Sequence, residues 1–459
     1  MADHARDRQL NFPRFRTQRA PQPSARSSHL RWAAPTLLVL VFVVTTWLLT
    51  HRQDIETGLQ EAFPTAQVPL RWKLEFEPSD SASVITAKDP ETLVRQIYQH
   101  LGEGERAQAL ETARVLSTQF PNFQLGQLLY ADLLNISLQH PIQGIVQEDD
   151  ATPSAGRRME ELVLEAKRRI TRPAPHTLQG QVPAAVALLA AQQPYFAAVD
   201  ASKSRLYWFA NRTGSDGKLK LELLKETYVS VGINGVGKVK EGDGKTPIGV
   251  YFIQKNLPGA TLPDLFGAGA LTLNFPNAVD AMRNKTGSGI WLHGTPSAQY
   301  SRAPEATDGC VVLANAEMDE LLRLPGLRMT PVVVAEKLDW ISSDQVPVIY
   351  NNFKPTLDAW LKDRQNADVD KLKAYYSPRF ERDALDLDHW WPKLTQSILG
   401  QRSPRTLEII SVLHWNDGED TVVVTMSTAN VKDKRQAVYL RTYWQKEEGQ
   451  WKLVFEGPT

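Results

Sequence analysis

Cys310 is the only cysteine among 459 residues, and His293 precedes it by seventeen positions. A thiol that has no partner in its own chain, follows a glycine and has an imidazole nearby in sequence is a candidate nucleophile. Both residues stand at boundaries between an apolar run and a glycine-containing turn, where two strands of one sheet can bring them within hydrogen-bond reach. The imidazole would then take the thiol proton and give a thiolate near neutral pH. Because Gly309 lets the backbone approach closely, the amides of Gly309 and Cys310 are candidate donors to an oxyanion.

Each of these residues also has a structural interpretation. A cysteine that precedes two valines is often a small buried hydrophobe, and a histidine at a strand end is often a polar side chain with satisfied hydrogen bonds. The catalytic interpretation therefore depends on a third motif between residues 235 and 251.

That motif contains Gly244, Lys245 and Thr246, the last three positions of a phosphate-binding loop. The first glycine of such a loop would fall at residue 239, which is valine, and Pro247 opens a strand and not a helix. The sequence therefore excludes a nucleotide-binding loop here.

Three motifs in this order, Asp243–Tyr251, His293–Thr295 and Thr307–Cys310, resemble the YkuD-type L,D-transpeptidase catalytic domain, over residues 195–339. The resemblance implies a β-rich domain that uses a cysteine nucleophile on peptidoglycan stem peptides, without a metal or another cofactor. It implies Cys310 as the nucleophile and His293 as the base. The backbone carbonyl of Gly294 would orient the imidazole, and Gly309 would lie in the oxyanion turn.

The same resemblance implies a substrate-binding set, which comprises Lys245, Thr246, Thr295, Thr307 and Asp308. Two positions depart from the family pattern, because Asp308 replaces a histidine and Val312 replaces a polar residue. A carboxylate at residue 308 raises the pKa of a neighbouring thiol unless His293 is charged. An alternative role for Asp308 is to accept backbone amides and hold the turn. For Lys245, the alternative is a solvated lysine in a turn.

Charge and hydropathy predict where the chain resides. The 52 Lys and Arg residues balance 52 Asp and Glu residues, so no global basic field indicates nucleic acid as a partner. Residues 1–32 carry seven arginines and precede an uncharged apolar run at 33–50, which is long enough to span a bilayer. Arginines on this flank predict a cytoplasmic N-terminus and a periplasmic bulk in the inner membrane. A cleaved secretory signal is the alternative.

The rest of the chain predicts a multidomain α+β protein. Residues 51–88 are typical of a stalk, 89–140 of a tetratricopeptide-like helical region or a plain helical hairpin, and 141–194 of a linker with one helix. Residues 195–339 predict a β sandwich or barrel, followed at 346–459 by helices and an antiparallel meander. This last block resembles the SnoaL-like (nuclear transport factor 2-like) cone, which implies a binding or dimerisation module.

These observations predict a periplasmic L,D-transpeptidase that transfers the acyl group of a stem tetrapeptide from Cys310 to an amine or to water. Two alternatives remain open. One is a carboxypeptidase or amidase on the same scaffold, and the other is a non-catalytic, membrane-anchored scaffold that binds the cell wall and recruits partners.

Overall fold

The structure is a computed structural model that describes residues 89–138, 153–172, 178–214, 218–400, 407–428 and 438–459. The predicted basic tail, membrane span and stalk lie outside these residues. Within the described segments, no helix combines the length and the apolar character needed to cross a bilayer. The described part is a mixed helix and strand assembly in which a β-rich domain lies between a helical region and a C-terminal α+β domain.

The helical region contains four helices, α1 Pro90–Glu103, α2 Arg106–Gln119, α3 Gln124–Leu138 and α4 Pro153–Ile170. Local sequence explains the first one. Asp89 caps the N-terminus by accepting a hydrogen bond from the Thr92 amide, Pro90 occupies the first turn, and Gly104 ends the helix at a φ of 80°. The apolar faces of the helices pack on one another around Val94, Ala113 and Phe123.

The central domain follows, and short helices lie between some of its strands. In chain order its elements are β1 Gln181–Pro183, β2 Val186–Leu189, β3 Tyr195–Asp200, β4 Arg205–Asn211, β5 Leu221–Tyr228, β6 Val231–Gly232, β7 Gly249–Pro258, β8 Gly269–Leu273, α5 Ala278–Met282, β9 Trp291–His293, β10 Glu305–Thr307, β11 Val311–Val312, α6 Asn315–Leu322, β12 Pro331–Ala335 and β13 Trp340–Ser342. Eight of these strands form one sheet in the order β11-β9-β8-β7-β12-β3-β4-β5.

The two ends of this sheet meet. Ser230, which follows β5, exchanges both backbone hydrogen bonds with Val312 of β11 at 2.8 and 2.9 Å. The sheet therefore curls around an apolar core that includes Trp208, Tyr251 and Leu292. The curl brings the short strands β9 and β11, which lie at the candidate site, close to the turns that follow β5 and β6.

The C-terminal domain contains α7 Val348–Gln365, α8 Val369–Lys373, β14 Glu381–Arg382, β15 Leu385–Asp386, α9 Leu387–Leu399, β16 Leu407–Asn416, β17 Asp420–Thr428, β18 Tyr439–Glu447 and β19 Gln450–Pro458. One face of its sheet packs on the helices around Phe353, Trp360 and Trp444. The sequence predicted helices followed by an antiparallel meander here, and the alternation of apolar residues indicated the strands of that meander.

The segment predicted as a linker contributes to two sheets. Strand β1 pairs with β13, and β2 pairs with β16 as the edge strand of the C-terminal sheet. The prediction was wrong here because Val186–Leu189 is a four-residue apolar run, and its partner strand lies far along the chain.

The outer face of the C-terminal sheet packs against the central sheet. Phe196, Tyr207 and Phe252 of the central domain share a buried core with Trp415 and Tyr443 of the C-terminal domain. This sheet face is therefore not free to form the dimer that a cone-like module would offer.

Buried ion pairs join the helical region to the central sheet. The fully buried Arg205 of β4 donates from both Nη atoms to the carboxylate of Glu91 at the start of α1. Arg172 donates to Glu226 of β5 at 2.9 Å. Burial alone would raise the pKa of Glu91, but the neighbouring arginines, with Arg205 foremost, lower it. The helical region is thus a fixed part of the assembly around the site.

Candidate active site

His293 and Cys310 lie on neighbouring parallel strands. Val311 of β11 pairs with Leu292 of β9, and Val312 pairs with His293. Extending this register by one residue places Cys310 beside Trp291. Because side chains alternate along a strand, His293 shares that face of the sheet. Cys310 and His293 therefore face the same side of the strand pair, with His293 at the end of β9 and Cys310 just before the start of β11.

A backbone contact fixes the tautomer of His293. Its Nδ1 lies 2.7 Å from the carbonyl oxygen of Gly294, so Nδ1 carries the proton and Nε2 keeps a lone pair. A Cβ at residue 294 would lie 2.2 Å from Oδ1 of Asn315, which only glycine avoids. The edge of the Phe266 ring packs on the imidazole with centroids 5.1 Å apart. Burial, with a smaller effect of the Arg302 charge, lowers the pKa of His293 to about 4 despite this hydrogen bond.

The surroundings of the half-buried Cys310 favour the neutral thiol over the thiolate. Its Sγ donates to the carbonyl oxygen of Gly289 at 3.3 Å and also meets the amide of Trp291. Burial raises the pKa of Cys310 to about 11. The charge of Asp308 raises this pKa further, whereas the charge of Arg302 lowers it only in part. This direction opposes the thiolate that the sequence predicts near neutral pH. A neutral thiol and a neutral imidazole form the resting pair, because burial penalises both charged forms.

The turn before Cys310 requires glycine at residue 309. Its φ is 126°, and a Cβ there would lie 2.6 Å from the carbonyl oxygen of Lys245. The Gly309 amide donates to Oγ1 of Thr307 at 3.1 Å, and that hydroxyl donates to the Cys310 carbonyl oxygen at 2.8 Å. The amide of Gly309 is thus already used, contrary to its expected role in the oxyanion turn. The Cys310 amide donates to no described residue and remains the candidate oxyanion donor.

Three of the predicted substrate contacts are used inside the fold. Thr246 is fully buried and accepts from the Gly232 amide at 2.9 Å. Thr295 is buried and donates to the carbonyl oxygen of Gln299 at 2.8 Å. Thr307 is buried and holds the turn just described. Each of these hydroxyls hydrogen-bonds to a backbone group, and their contact with a substrate stays a prediction.

The other two predicted contacts lie where a substrate can reach them. Lys245 is half-buried and its backbone packs on Gly309. Asp308 is exposed and accepts no hydrogen bond from a described residue, so Thr307 and not Asp308 holds the turn. The charge of Asp308 acts on Cys310 in the expected direction, raising the pKa of the thiol.

Asp243 organises the loop of the glycine-rich motif. Its carboxylate accepts from Nζ of Lys238 at 2.8 Å and from the amides of Val239, Lys240 and Lys245 at 2.8, 3.0 and 3.1 Å. Burial alone would raise the pKa of Asp243, but these donors hold it well below its usual value. Lys238 is only 4% exposed, and its charge lowers the pKa of the thiol. The carboxylate therefore fixes a buried cation beside the candidate nucleophile.

Arg302 is a site residue that the sequence analysis missed. Its charge acts on the pKa of both His293 and Cys310, and its buried Nε has no hydrogen-bond partner among the described residues. The loop that carries it is held by the helical region, because the Tyr300 amide donates to the Asn122 carbonyl oxygen at 3.0 Å. No motif marked this arginine, since its proximity to the thiol follows from the curl of the sheet and from helices earlier in the chain.

Possible metal ligands cluster elsewhere. Among the described residues, His100, Glu103 and Glu105 at the end of α1 are the one group with ligand atoms close enough to hold an ion. This group takes no part in the site around Cys310.

The comparison with protein families agrees with the site geometry. Residues 194–334 match the family model of YkuD, the L,D-transpeptidase catalytic domain. The chain contains a YkuD domain. The match covers the strands, the glycine-rich loop, His293 and Cys310, whereas the helical region and the C-terminal domain lie outside it. No curated protein sequence matches the chain.

Three solved structures match parts of the chain. Bd1075 of Bdellovibrio bacteriovorus is 22% identical over 61% of this chain and 98% of its own, with a TM-score of 0.49. The helical cell shape determining protein Pgp2 of Campylobacter jejuni is 20% identical over 60% of this chain and 95% of its own, with a TM-score of 0.46. A nuclear transport factor 2-like protein of unknown function from Pseudomonas putida KT2440 is 13% identical over 24% of this chain and 85% of its own, with a TM-score of 0.21.

Proposed function

We propose that the YkuD domain of this protein is a cysteine-dependent L,D-transpeptidase acting on peptidoglycan stem tetrapeptides. The observation that carries the proposal is the register of β9 and β11, which places Cys310 and His293 on the same face of neighbouring strands, with Nδ1 of the imidazole bound to the Gly294 carbonyl oxygen and Nε2 left as a proton acceptor. The YkuD match supplies the substrate class.

The proposed first half-reaction starts from the neutral pair. The thiol hydrogen turns from the Gly289 carbonyl oxygen to Nε2 of His293 as Sγ attacks the carbonyl carbon at the L-centre of the third stem residue. The resulting oxyanion is bound by the Cys310 amide, with the positive charges of Arg302 and Lys238 nearby. The carbon–nitrogen bond then breaks, D-alanine leaves with the proton from Nε2, and a thioester remains on Cys310.

The second half-reaction restores the thiol. An acceptor amine attacks the thioester, Nε2 of His293 takes the proton that this amine loses, and the carbon–sulfur bond breaks. The departing sulfur of Cys310 takes the proton back from Nε2. The products are a new amide cross-link and free D-alanine, and with water as acceptor the same sequence gives a shortened stem. The low pKa of His293 suits this cycle, because an imidazolium formed in the dry site readily returns its proton.

The location proposed for this chemistry is the periplasm. The apolar run at 33–50 would anchor the chain in the inner membrane, and the arginines before it favour a cytoplasmic N-terminus. A peptidoglycan substrate requires the domain on the far side of that membrane.

Purified full-length protein incubated with disaccharide tetrapeptides tests the proposal. Mass spectrometry of the products should show D-alanine release together with cross-linked dimers, and intact-mass analysis should show an acyl adduct on the protein. Cys310→Ala should abolish all three signals. His293→Gln should lower turnover by about 100-fold or more, whereas the exposed His389→Gln serves as a matched control without effect.

Three outcomes discriminate between the alternatives. Shortened monomers without dimers would assign the chain to the carboxypeptidases. Intact stems together with retention on sacculi would identify a cell-wall-binding scaffold. Turnover that persists in Cys310→Ala would refute the thiol mechanism altogether.

A further inference from the structure

A cavity lies between the two packed sheets, on the face of the C-terminal sheet opposite its own helices. The junction cavity has a volume of about 440 Å³, and its lining includes Phe252, Asn274 and Met329 of the YkuD domain together with Arg441 and Thr459 of the C-terminal domain. A neighbouring cavity of about 630 Å³ shares Met329 and Thr459 with it. Volumes in this range suit a small organic ligand.

Arg441 is a buried cation without an acidic partner. The residue is 7% exposed, and its guanidinium carbon lies 3.3 Å from the centroid of the Phe252 ring. The Nε atom donates to Oγ1 of Thr425 at 3.2 Å, and a terminal nitrogen meets the Met329 sulfur at 3.9 Å. The other polar contact is with Tyr443. No carboxylate among the described residues lies within ion-pair distance of this guanidinium.

This arrangement differs from the other buried arginines. Arg205 and Arg169 are equally buried, and each pairs with a glutamate. Uncompensated burial of a charge is costly, so buried guanidinium groups normally have an anionic partner. Consistent with that missing partner, burial lowers the pKa of Arg441 to about 10.

The surroundings of Arg441 favour an anion. Two further cations, Lys255 and Arg328, lie at the exposed rim, and neither Asp nor Glu lines the junction cavity or its neighbour. Met329 adopts a φ of 71°, a conformation that a bulky side chain rarely takes. Strained residues of this kind cluster at binding and switch sites. The thioether of this residue lies against the Arg441 guanidinium at the cavity wall.

We propose that the junction cavity binds an oxyanion through Arg441, and that its ligand class is the carboxylate of a short peptide. The planar guanidinium can form two parallel hydrogen bonds with a carboxylate. The Phe252 ring and the Met329 side chain offer apolar contacts to the rest of such a ligand. Phosphate shares the oxyanion chemistry but makes no use of these apolar walls. The binding does not depend on the reaction proposed for Cys310.

Calorimetric titration of the full chain in detergent solution tests the site. The probes are N-acetyl-D-alanine, its uncharged analogue N-acetyl-D-alaninamide, and inorganic phosphate. We expect the carboxylate to bind more tightly than phosphate and the amide not to bind. Arg441→Lys should raise the Kd for the carboxylate about tenfold, because a lysine cannot form the paired hydrogen bonds. Cys310→Ala should leave this Kd unchanged, which separates the site from catalysis.

Arg328→Gln keeps the test independent of any folding defect at residue 441. Because Arg328 is exposed, this variant should melt at the temperature of the unmodified protein and raise the Kd about threefold, with the exposed Arg323→Gln as a matched control without effect. Equal binding of the amide, tighter binding of phosphate, or an unchanged Kd in both Arg441→Lys and Arg328→Gln would each overturn the proposal.

Discussion

The resting state of Cys310 makes a specific prediction for its alkylation. Burial raises the pKa of this thiol to about 11, so at pH 8 about one molecule in a thousand carries the thiolate. An ordinary thiol with a pKa of ~8.5 is about one quarter ionised at the same pH. A thiolate of higher pKa is intrinsically more nucleophilic, which offsets roughly tenfold of the difference. The net expectation is a reaction with iodoacetamide roughly 20-fold slower than that of N-acetylcysteine.

The assay uses the fact that Cys310 is the only cysteine in the chain. Intact-mass spectrometry of the full chain then reports one adduct, and the rate is followed from pH 6 to pH 10. The rate should rise about tenfold per pH unit without a plateau, because the thiolate fraction rises in that proportion below the pKa. His293→Gln should change it by less than about threefold, since a neutral imidazole does not stabilise the thiolate.

A different profile would refute this reasoning. A plateau below pH 8, or a rate at pH 7 that equals or exceeds that of N-acetylcysteine, would show a thiolate paired with an imidazolium in the free protein. Loss of that fast reaction in His293→Gln would confirm the ion pair and contradict the neutral resting pair described above.

Three further substitutions test charges that the structure places around the site. Asp308→Asn should speed alkylation of the thiol at pH 8 about two- to sixfold, the effect of one surface charge roughly 4–8 Å away in water; an unchanged rate would show that the carboxylate does not act on the sulfur. Asp243→Asn leaves the buried Lys238 unpaired and should lower the free energy of unfolding in urea by about 3 kcal/mol at pH 7. Because the pKa of Asp243 is lower in the folded than in the unfolded protein, its contribution to stability is complete above the unfolded pKa and is lost as pH falls through the folded pKa. If Asp243→Asn lowered the free energy of unfolding as much far below pH 2 as at pH 7, the ionised carboxylate would not be the source of the stability. Glu91→Gln removes one of the two glutamate partners of the fully buried Arg205, which also lies 3.7 Å from Glu226, and should cost about 3 kcal/mol in the same assay, with a loss below 1 kcal/mol excluding a structural role for the pair.

Local sequence was sufficient for much of the architecture. Alternation of apolar residues predicted the strands of the C-terminal meander, because a half-buried sheet imposes a period of two. A helix was predicted from about residue 159 to 170 and begins earlier, at Pro153, and the turn at Pro121 between α2 and α3 followed from helical spacing and from a turn residue. Strand β2 escaped prediction, since a run of four apolar residues carries no information about a partner strand far along the chain.

For the candidate site, the sequence by itself determined the chemical groups and their attachment to strand ends. It named Cys310 and His293, and the resemblance to the YkuD-type domain implied the Gly294 carbonyl beside the imidazole, which the structure places 2.7 Å from Nδ1. Only the tertiary structure decided the protonation state of the pair, since burial is set by the packing of the whole domain. It alone brought Arg302 to the thiol and left Arg441 without a carboxylate, because both environments are made by segments that are distant in the chain.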